Sequence, residues 1–453
     1  MRQKAVLVRD KAFYGMLAGI ALPIILQNMI TIGVNIMDTV MLGKMGEVQI
    51  SASSLANNYI DFFHILHMGI GGGAGVLISQ YSGLNDKKSV RNVVTIAIII
   101  SLCASTLFAT ISGLFPSQIM RIFTPDPAVV EKGDIYLRWS IPSYYFHGLS
   151  LIMTLALRST GKVKVPFFAS IVSFFVNIFS NWVFIFGNLG APRMEIAGAA
   201  LGTLIARIAE ALFIGIYFFT IEKDISFRIR DLFRPTEGKL KIFLRYGIPV
   251  IISDSLLSLG NSTVSIIIGH ISTSFVAAFA IVVPVMRLCN VATMGLSQAS
   301  ATMTGKTVGS GSIEDIKSCG LTCYVLSIAT GMVASVLIML VCPFVIGLYE
   351  ISSETAVIAR HLMFSIAVMV IFQSIQTVLT KGILRGGGDT RFVMVADVLF
   401  MWILSIPLGA LLGLVLHVDP FFIYMALKGD FIVKSVWCSK RLFSWKWIRK
   451  VYI

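Results

Sequence analysis

Residues 383–391 read I-L-R-G-G-G-D-T-R, a charged, glycine-rich stretch between two long apolar runs. Residues 156–166 read A-L-R-S-T-G-K-V-K-V-P, again between apolar runs, so Leu-Arg-x-x-Gly occurs twice, 227 residues apart in a chain of 453. Three more landmarks hold nearly the same register. Pro23 in A-L-P-I-I-L pairs with Pro249 in G-I-P-V-I-I, Gly43 in V-M-L-G-K-M with Gly269 in I-I-I-G-H-I, and Gly83 in Q-Y-S-G-L-N-D with Gly309 in K-T-V-G-S-G-S, each at a shift of 226. One such coincidence would be weak; four in order identify an internal duplication.

The duplicated unit belongs in lipid. The chain is 56% hydrophobic and 13% charged, with a mean hydropathy of +0.84, whereas a soluble domain carries about 25% charged residues. Twelve segments have the ~20 mostly apolar residues that cross a bilayer: 12–38, 50–79, 92–115, 134–157, 164–187, 196–220, 242–268, 274–303, 318–342, 357–380, 391–416 and 420–438. Hydrocarbon forces the backbone to satisfy itself, and continuous apolar runs without ten-residue alternation exclude a barrel. The expected fold is an all-α polytopic membrane protein, with twelve transmembrane helices in two pseudo-symmetric six-helix lobes. Six spans return the chain to its starting side, so the repeats are parallel. The expected divisions are 1–220 for helices 1–6, a cytoplasmic linker at 221–241, and 242–453 for helices 7–12 with a basic tail.

A net charge of +14 could suggest nucleic acid, but its distribution argues otherwise. With residue 1 inside, 29 of the 37 Lys and Arg fall at inner helix ends. Lys44, Arg121, Lys132, Arg138, Arg193 and Arg360 fall at outer ends, and Arg207 and Arg287 within spans. That bias is the positive-inside rule and places both termini in the cytoplasm. The basic start (Arg2, Lys4, Arg9, Lys11) precedes a run too long for a signal peptide, so it is kept as helix 1. The segment Lys440–Trp447, with its basic and aromatic residues, reads as an interfacial anchor. Six scattered cysteines form no disulfide or zinc pattern and read as buried thiols. Each Leu-Arg-x-x-Gly ends an apolar helix, where Arg can snorkel to the interface and Gly can cap before the tight turn.

Two six-helix halves, L-R-G-G-G-D-T-R after helix 10, L-R-S-T-G-K-V-K-V-P after helix 4, and helix 1 reading L-P-I-I-L-Q-N with N-I-M-D-T-V-M-L-G together resemble the multidrug and toxic compound extrusion (MATE) family. The likeness covers nearly the whole chain. It implies a cation-coupled antiporter in the bacterial cytoplasmic membrane that expels organic, often cationic, compounds. Lys162 departs from the family pattern, which often has Asp there.

An ionised carboxylate in the bilayer is costly and marks function by default. Five lie in spans: Asp38, Asp61, Glu210, Asp254 and Asp397. Asn177 and Asn181 share one face of helix 5 at i,i+4, and Thr203 lies one turn into helix 6. With Asp38 they could form an oxygen-rich cluster for Na⁺ or a shared proton. The resemblance implies the same assignment, since helices 1, 5 and 6 supply such a site in the family; some members have a second Asp where this chain has Asn181. The competing reading is interhelical hydrogen bonding alone.

Asp254 and Asp397 read either as substrate-cavity residues for a cation or as ion-pair partners of Arg287. Asp61 is a further cavity candidate, and Glu210 pairs with Arg207 at i+3. Pro23 and Pro249 sit where helices 1 and 7 could bend, and occupancy of Asp38 would change that bend. Gly69–Ala74 matches G-x-G-x-x-A, yet it lies inside an apolar helix, where Gly69/Gly73 and Gly71/Gly75 instead give close-packing spacing. His64 and His67 lack a third metal ligand.

The expected protein is thus a secondary antiporter working by alternating access, with no cofactor, no metal beyond a Na⁺ at Asp38, small organic cations and the bilayer as partners, and a monomeric state. The alternative is a lipid-linked oligosaccharide flippase of the same superfamily. It would need a strongly basic cavity, whereas the spans hold five acidic and two basic side chains. An enzyme would need a metal or acid–base cluster near one face.

Overall fold

The computed structural model describes residues 6–234, 236, 238–349 and 351–451. The expected Arg2 and Lys4 lie outside these residues. In the first copy the helices are α1 Lys11–Gly43, α2 Glu47–Gly83, α3 Lys87–Leu114, the short α4 Pro116–Phe123, α5 Pro127–Ser159, α6 Lys164–Phe186 and α7 Ile196–Ile216. The second copy follows with α8 Lys239–Ile271, α9 Thr273–Ser310, α10 Ile313–Gly347, α11 Ser353–Thr377, α12 Thr390–Leu399, α13 Ile406–Ala410, α14 Pro420–Leu427 and α15 Asp430–Phe443. Residues 378–384 continue α11 in wider, π-helical turns, and similar turns join α12 to α13.

Chain chemistry accounts for the boundaries. Asp86 accepts from Ser89 N at 3.0 Å to start α3, and Ser312 and Asp315 form a reciprocal capping box at α10. Asp126–Pro127 and Asp419–Pro420 place a capping carboxylate before a first-turn proline.

Ten helices among the described residues are long and apolar enough to cross a bilayer. The other two of the twelve spans are α5, whose first turns carry Glu131, Lys132, Asp134 and Arg138, and the pair α14–α15, which breaks at Lys428–Gly429. Several helices, such as α1, α2 and α9, outrun the apolar segments read from sequence. Pro23 and Pro249 each lie inside a helix that runs through them.

The register of the repeat can now be traced. The pairs α3/α10 and α5/α11 begin at residues 87/313 and 127/353, both at a shift of 226, yet the arginines stand at 227. The extra residue is therefore inside α11, and the π-helical stretch 378–384 absorbs it.

By proximity the chain forms two compact units. The carboxy-terminal unit contains the described residues through Ile25, Ser79–Asn85 and Arg245 onward; the amino-terminal unit contains Leu26–Ile78 and Asp86–Leu244. In the amino-terminal unit, Ala52, Ala56, Met120, Leu137 and Ile185 form one core. A Cβ at Gly71 would collide with Leu155, and one at Gly75 would sit 2.9 Å from Ser159 Oγ; these two glycines let α2 lie against α5. In the carboxy-terminal unit, Phe275, Ala278, Val282, Ile338 and Leu362 are almost wholly buried.

The same unit holds the meeting of Gly83 and Gly309, the paired glycines of the repeat. A Cβ on Gly309 would lie 3.1 Å from the Gly83 Cα, and one on Gly83 would strike Lys306 O. Of the cysteines, Cys319, Cys323 and Cys438 are buried; Cys103 is exposed, contrary to the expectation of six buried thiols.

Candidate functional site

In the amino-terminal unit α6 brings two amides to α1. Asn181 Nδ2 donates to Asp38 Oδ1 at 2.6 Å and contacts Asn177 Oδ1 at 3.3 Å. Both asparagines are buried and Asp38 is half-buried. The approach depends on Gly202 of α7, where a Cβ would strike Asn181 Oδ1. That oxygen is buried with no hydrogen-bond partner among the described residues. Thr203 joins differently: it shares a cavity with Asn177.

The cavity has a volume of about 60 Å³ and reaches from Asn177 and Thr203 past Asn35 and Thr31 to Gln27 and Glu210. Drug-sized pockets run to about 300–1,000 Å³, so this one has room for water or a small ion and not for a drug. Arg207 Nη1 lies 2.8 Å from Glu210 Oε2, as the i,i+3 spacing suggested. Asp61 is exposed on α2. His64 Nδ1 lies 3.1 Å from His147 Nε2, while His67 is bonded to Phe63 O and Ser101 O. Among the described residues no three potential ligands gather around a metal position.

The Leu-Arg-x-x-Gly arginines depart from expectation. Neither snorkels: Arg158 is 8% and Arg385 7% exposed. Arg158 Nη2 donates to Gln27 Oε1 at 2.6 Å. Arg385 grips Asp254 with two bonds, Nη1 to Oδ2 at 3.0 Å and Nη2 to Oδ1 at 2.9 Å, and Lys381 adds a contact at 3.5 Å. An acceptor inside the lobe outcompetes the interface because two guanidinium nitrogens fit a carboxylate. The glycines do cap, with φ of +83° at Gly161 and +88° at Gly388.

Arg287 is therefore not the partner of Asp254, nor of Asp397; it is exposed. Asp397 accepts from Ser253 Oγ at 2.6 Å and faces Lys434 Nζ at 3.3 Å, and the same ammonium reaches Asp430 at 2.8 Å. These three charged side chains are at most 2% exposed. The sequence reading singles out Asp397 but not its partners, although Asp430 and Lys434 are spaced i,i+4 inside the last span. The count of five acidic against two basic side chains also narrows once burial adds Arg158, Arg385, Lys428 and Lys434 on one side and Asp389 and Asp430 on the other.

Nor is Trp447 an interfacial anchor. It is fully buried, and a Cβ at Gly387 would run into its ring. The segment after α15 is stitched down: Arg449 N donates to Gly387 O at 2.8 Å, and Arg441 and Arg449 flank buried Asp389 at 2.7 and 3.0 Å. Gln80 Nε2 donates to Gly386 O at 3.1 Å and to Arg449 O at 3.2 Å. The triple glycine of the opening motif thus makes room for an indole that the first copy lacks.

A MatE family model matches residues 23–183 and again 249–411. The chain belongs to the MatE family. The two matches begin at Pro23 and Pro249, the first landmarks of the duplication. MatE is a family of transporters, not of enzymes. Multidrug resistance protein MdtK of Yersinia enterocolitica is 23% identical to the chain, over 89% of this chain and 88% of that protein. Among solved structures, one described as an outward-facing conformation of a multidrug resistance MATE family transporter superimposes with a TM-score of 0.85 at 19% identity, covering 97% of this chain and 99% of that one. Another, described as MATE in the bent conformation, matches with a TM-score of 0.84 at 19% identity, covering 96% of each chain. At these identities the structures establish the shared twelve-helix fold.

Proposed function

We propose that this MatE chain is a secondary antiporter of the bacterial cytoplasmic membrane, exporting organic, cationic drugs or toxic compounds in exchange for H⁺ or Na⁺. The name of the Yersinia relative supports the drug reading, and the Lys/Arg bias supports cytoplasmic termini. The observation that carries the coupling is a contrast in partners. Among the described residues, Glu210, Asp254, Asp397 and Asp430 each have an Arg or Lys within 4 Å. Asp38 instead has an amide, and Arg207 is engaged by Glu210. A carboxylate in oil without a basic partner needs a mobile positive charge.

The amides suit that exchange. Asn181 Nδ2 donates to Asp38 Oδ1, the contact that an ionised Asp38 would use. Rotating the amide by half a turn would present Oδ1 instead, an acceptor for an Asp38 proton or a ligand for Na⁺. Asp38, Asn177, Asn181 and Thr203 are the proposed coupling residues. A cation held there would favour one conformation of α1, around Pro23, over the other, which is the requirement for switching access between the lobes. The protein acts as a monomer in this reading.

The test is ethidium efflux from proteoliposomes under separately imposed pH and Na⁺ gradients. The wild type responds to one of them, and Asp38→Asn, which keeps shape and hydrogen bonding but not charge, abolishes the response. Undiminished gradient-driven efflux by Asp38→Asn would overturn the assignment.

A further inference from the structure

The two buried arginine contacts occupy matching places in the repeat. Arg158 at the end of α5 reaches Gln27, four residues beyond Pro23 on α1; Arg385 after α11 reaches Asp254, five beyond Pro249 on α8. In both, 131 residues separate the partners. Each arginine therefore ties the end of a copy's fourth span to its proline-bearing first span. The acceptors differ in kind. Asp254 takes two charge-assisted bonds and a second cation, Lys381, whereas Gln27 offers one neutral carbonyl. Both ties have a charged donor, but only the second adds a charged acceptor held bidentately, so of the two acceptors on the proline-bearing helices Gln27 is the one more easily released.

Gln27 also stands in line with the coupling residue. Eleven residues separate it from Asp38, which is three helical turns and about 20°. Gln27, Thr31 and Asn35 line the small cavity that Asn177 and Thr203 close from the other side. One face of α1 thus carries the arginine's acceptor at one end and the carboxylate at the other. A helix that responds at Asp38 carries Gln27 with it.

We propose that Arg158 and Gln27 form a releasable positioning contact that holds α1 in one of its transport states, while Arg385 and Asp254 form a permanent tie that keeps α8 fixed. The proposal rests on the antiport reading above. Converting the neutral acceptor to a carboxylate gives the first copy the bond of the second, so Gln27→Glu makes the releasable tie permanent.

The experiment measures ethidium efflux in proteoliposomes across drug and coupling-cation concentrations for the wild type, Gln27→Glu, Gln27→Met and Asp254→Asn. Gln27→Glu is expected to lower turnover about tenfold, the effect of holding one state by one charge-assisted bond. It should also shift the half-maximal cation concentration and leave the KM for ethidium unchanged. Gln27→Met, which keeps volume but removes the acceptor, turns over at least as fast as the wild type with an opposite cation shift. Asp254→Asn lowers thermal stability without moving the cation dependence.

Folded Gln27→Glu protein with wild-type turnover and cation dependence overturns the proposal. If that variant does not fold, Gln27→Met decides: slower turnover with an unmoved cation dependence overturns it equally. Either result with Asp38→Asn inactive leaves the antiport reading standing. Active Asp38→Asn removes that reading first.

Discussion

Lys434 is the charge on which the buried part of α15 depends. Its ammonium serves two carboxylates, Asp397 at 3.3 Å and Asp430 at 2.8 Å, and none of the three side chains is more than 2% exposed. Replacing it with Met keeps the stem and most of the volume but strands both acids. Ser253 and Ser405 still donate to them, which satisfies oxygens without supplying charge.

Removing one member of a buried pair costs about 3–5 kcal/mol because the other is left uncompensated. At about 2 °C per kcal/mol, the low end of the range for larger chains, Lys434→Met should melt about 6–10 °C lower. A thiol-reactive dye in detergent micelles reads this directly. Cys319, Cys323 and Cys438 are buried until unfolding, and exposed Cys103 is replaced by Ser throughout. The variant Lys434→Met/Asp397→Asn/Asp430→Asn removes all three charges and should recover most of the loss. A single variant melting within about 2 °C of the wild type, or a neutral triple variant no better than the single, would refute the reasoning.

Four further outcomes are expected. Gly387→Val pushes a side chain into the Trp447 ring and should release residues 445–451 to limited proteolysis, while Trp447→Ala should lower stability by about 3–5 kcal/mol in the same dye assay. Gly202→Ala crowds Asn181 away from Asp38, so gradient-driven ethidium efflux should fall while the melting temperature moves by only a few degrees. Gly309→Leu meets backbone at Gln80 and Gly83 with nothing flexible to yield, and should reduce the folded fraction on gel filtration far more than Gly269→Leu, which has open space.

What the sequence disclosed follows from which forces are local. Lipid imposes helices on any long apolar run, and duplication writes landmarks at a fixed shift, so twelve spans and two copies were legible. Asn177 and Asn181 were legible as a pair because i,i+4 spacing fixes a common face, and Asp38 because a carboxylate in oil stands out. Partner choice is a tertiary property and was not legible. Arg158 and Arg385 looked like interface residues until Gln27 and Asp254 were seen opposite them, 131 positions away. In the sequence Lys434 groups with the cytoplasmic charges, which leaves Arg287 as the apparent partner of Asp397. Trp447 had the composition of a membrane anchor, and only the space above Gly387 shows that it points inward.

The wide turns at 378–384 let the second copy carry one residue more than the first without displacing its arginine. A surplus residue in an ordinary helix would swing everything beyond it by about 100°; lodged in a π turn, it leaves the flanking segments seated and advances Arg385 by one place. Counted at the shift that governs the prolines, the position matching Gln27 is Ser253, and the guanidinium lands on its neighbour Asp254. Deleting a single codon from that stretch would turn Arg385 by about 100° around the helix axis, and an acid within the bilayer would lose its chief counterion.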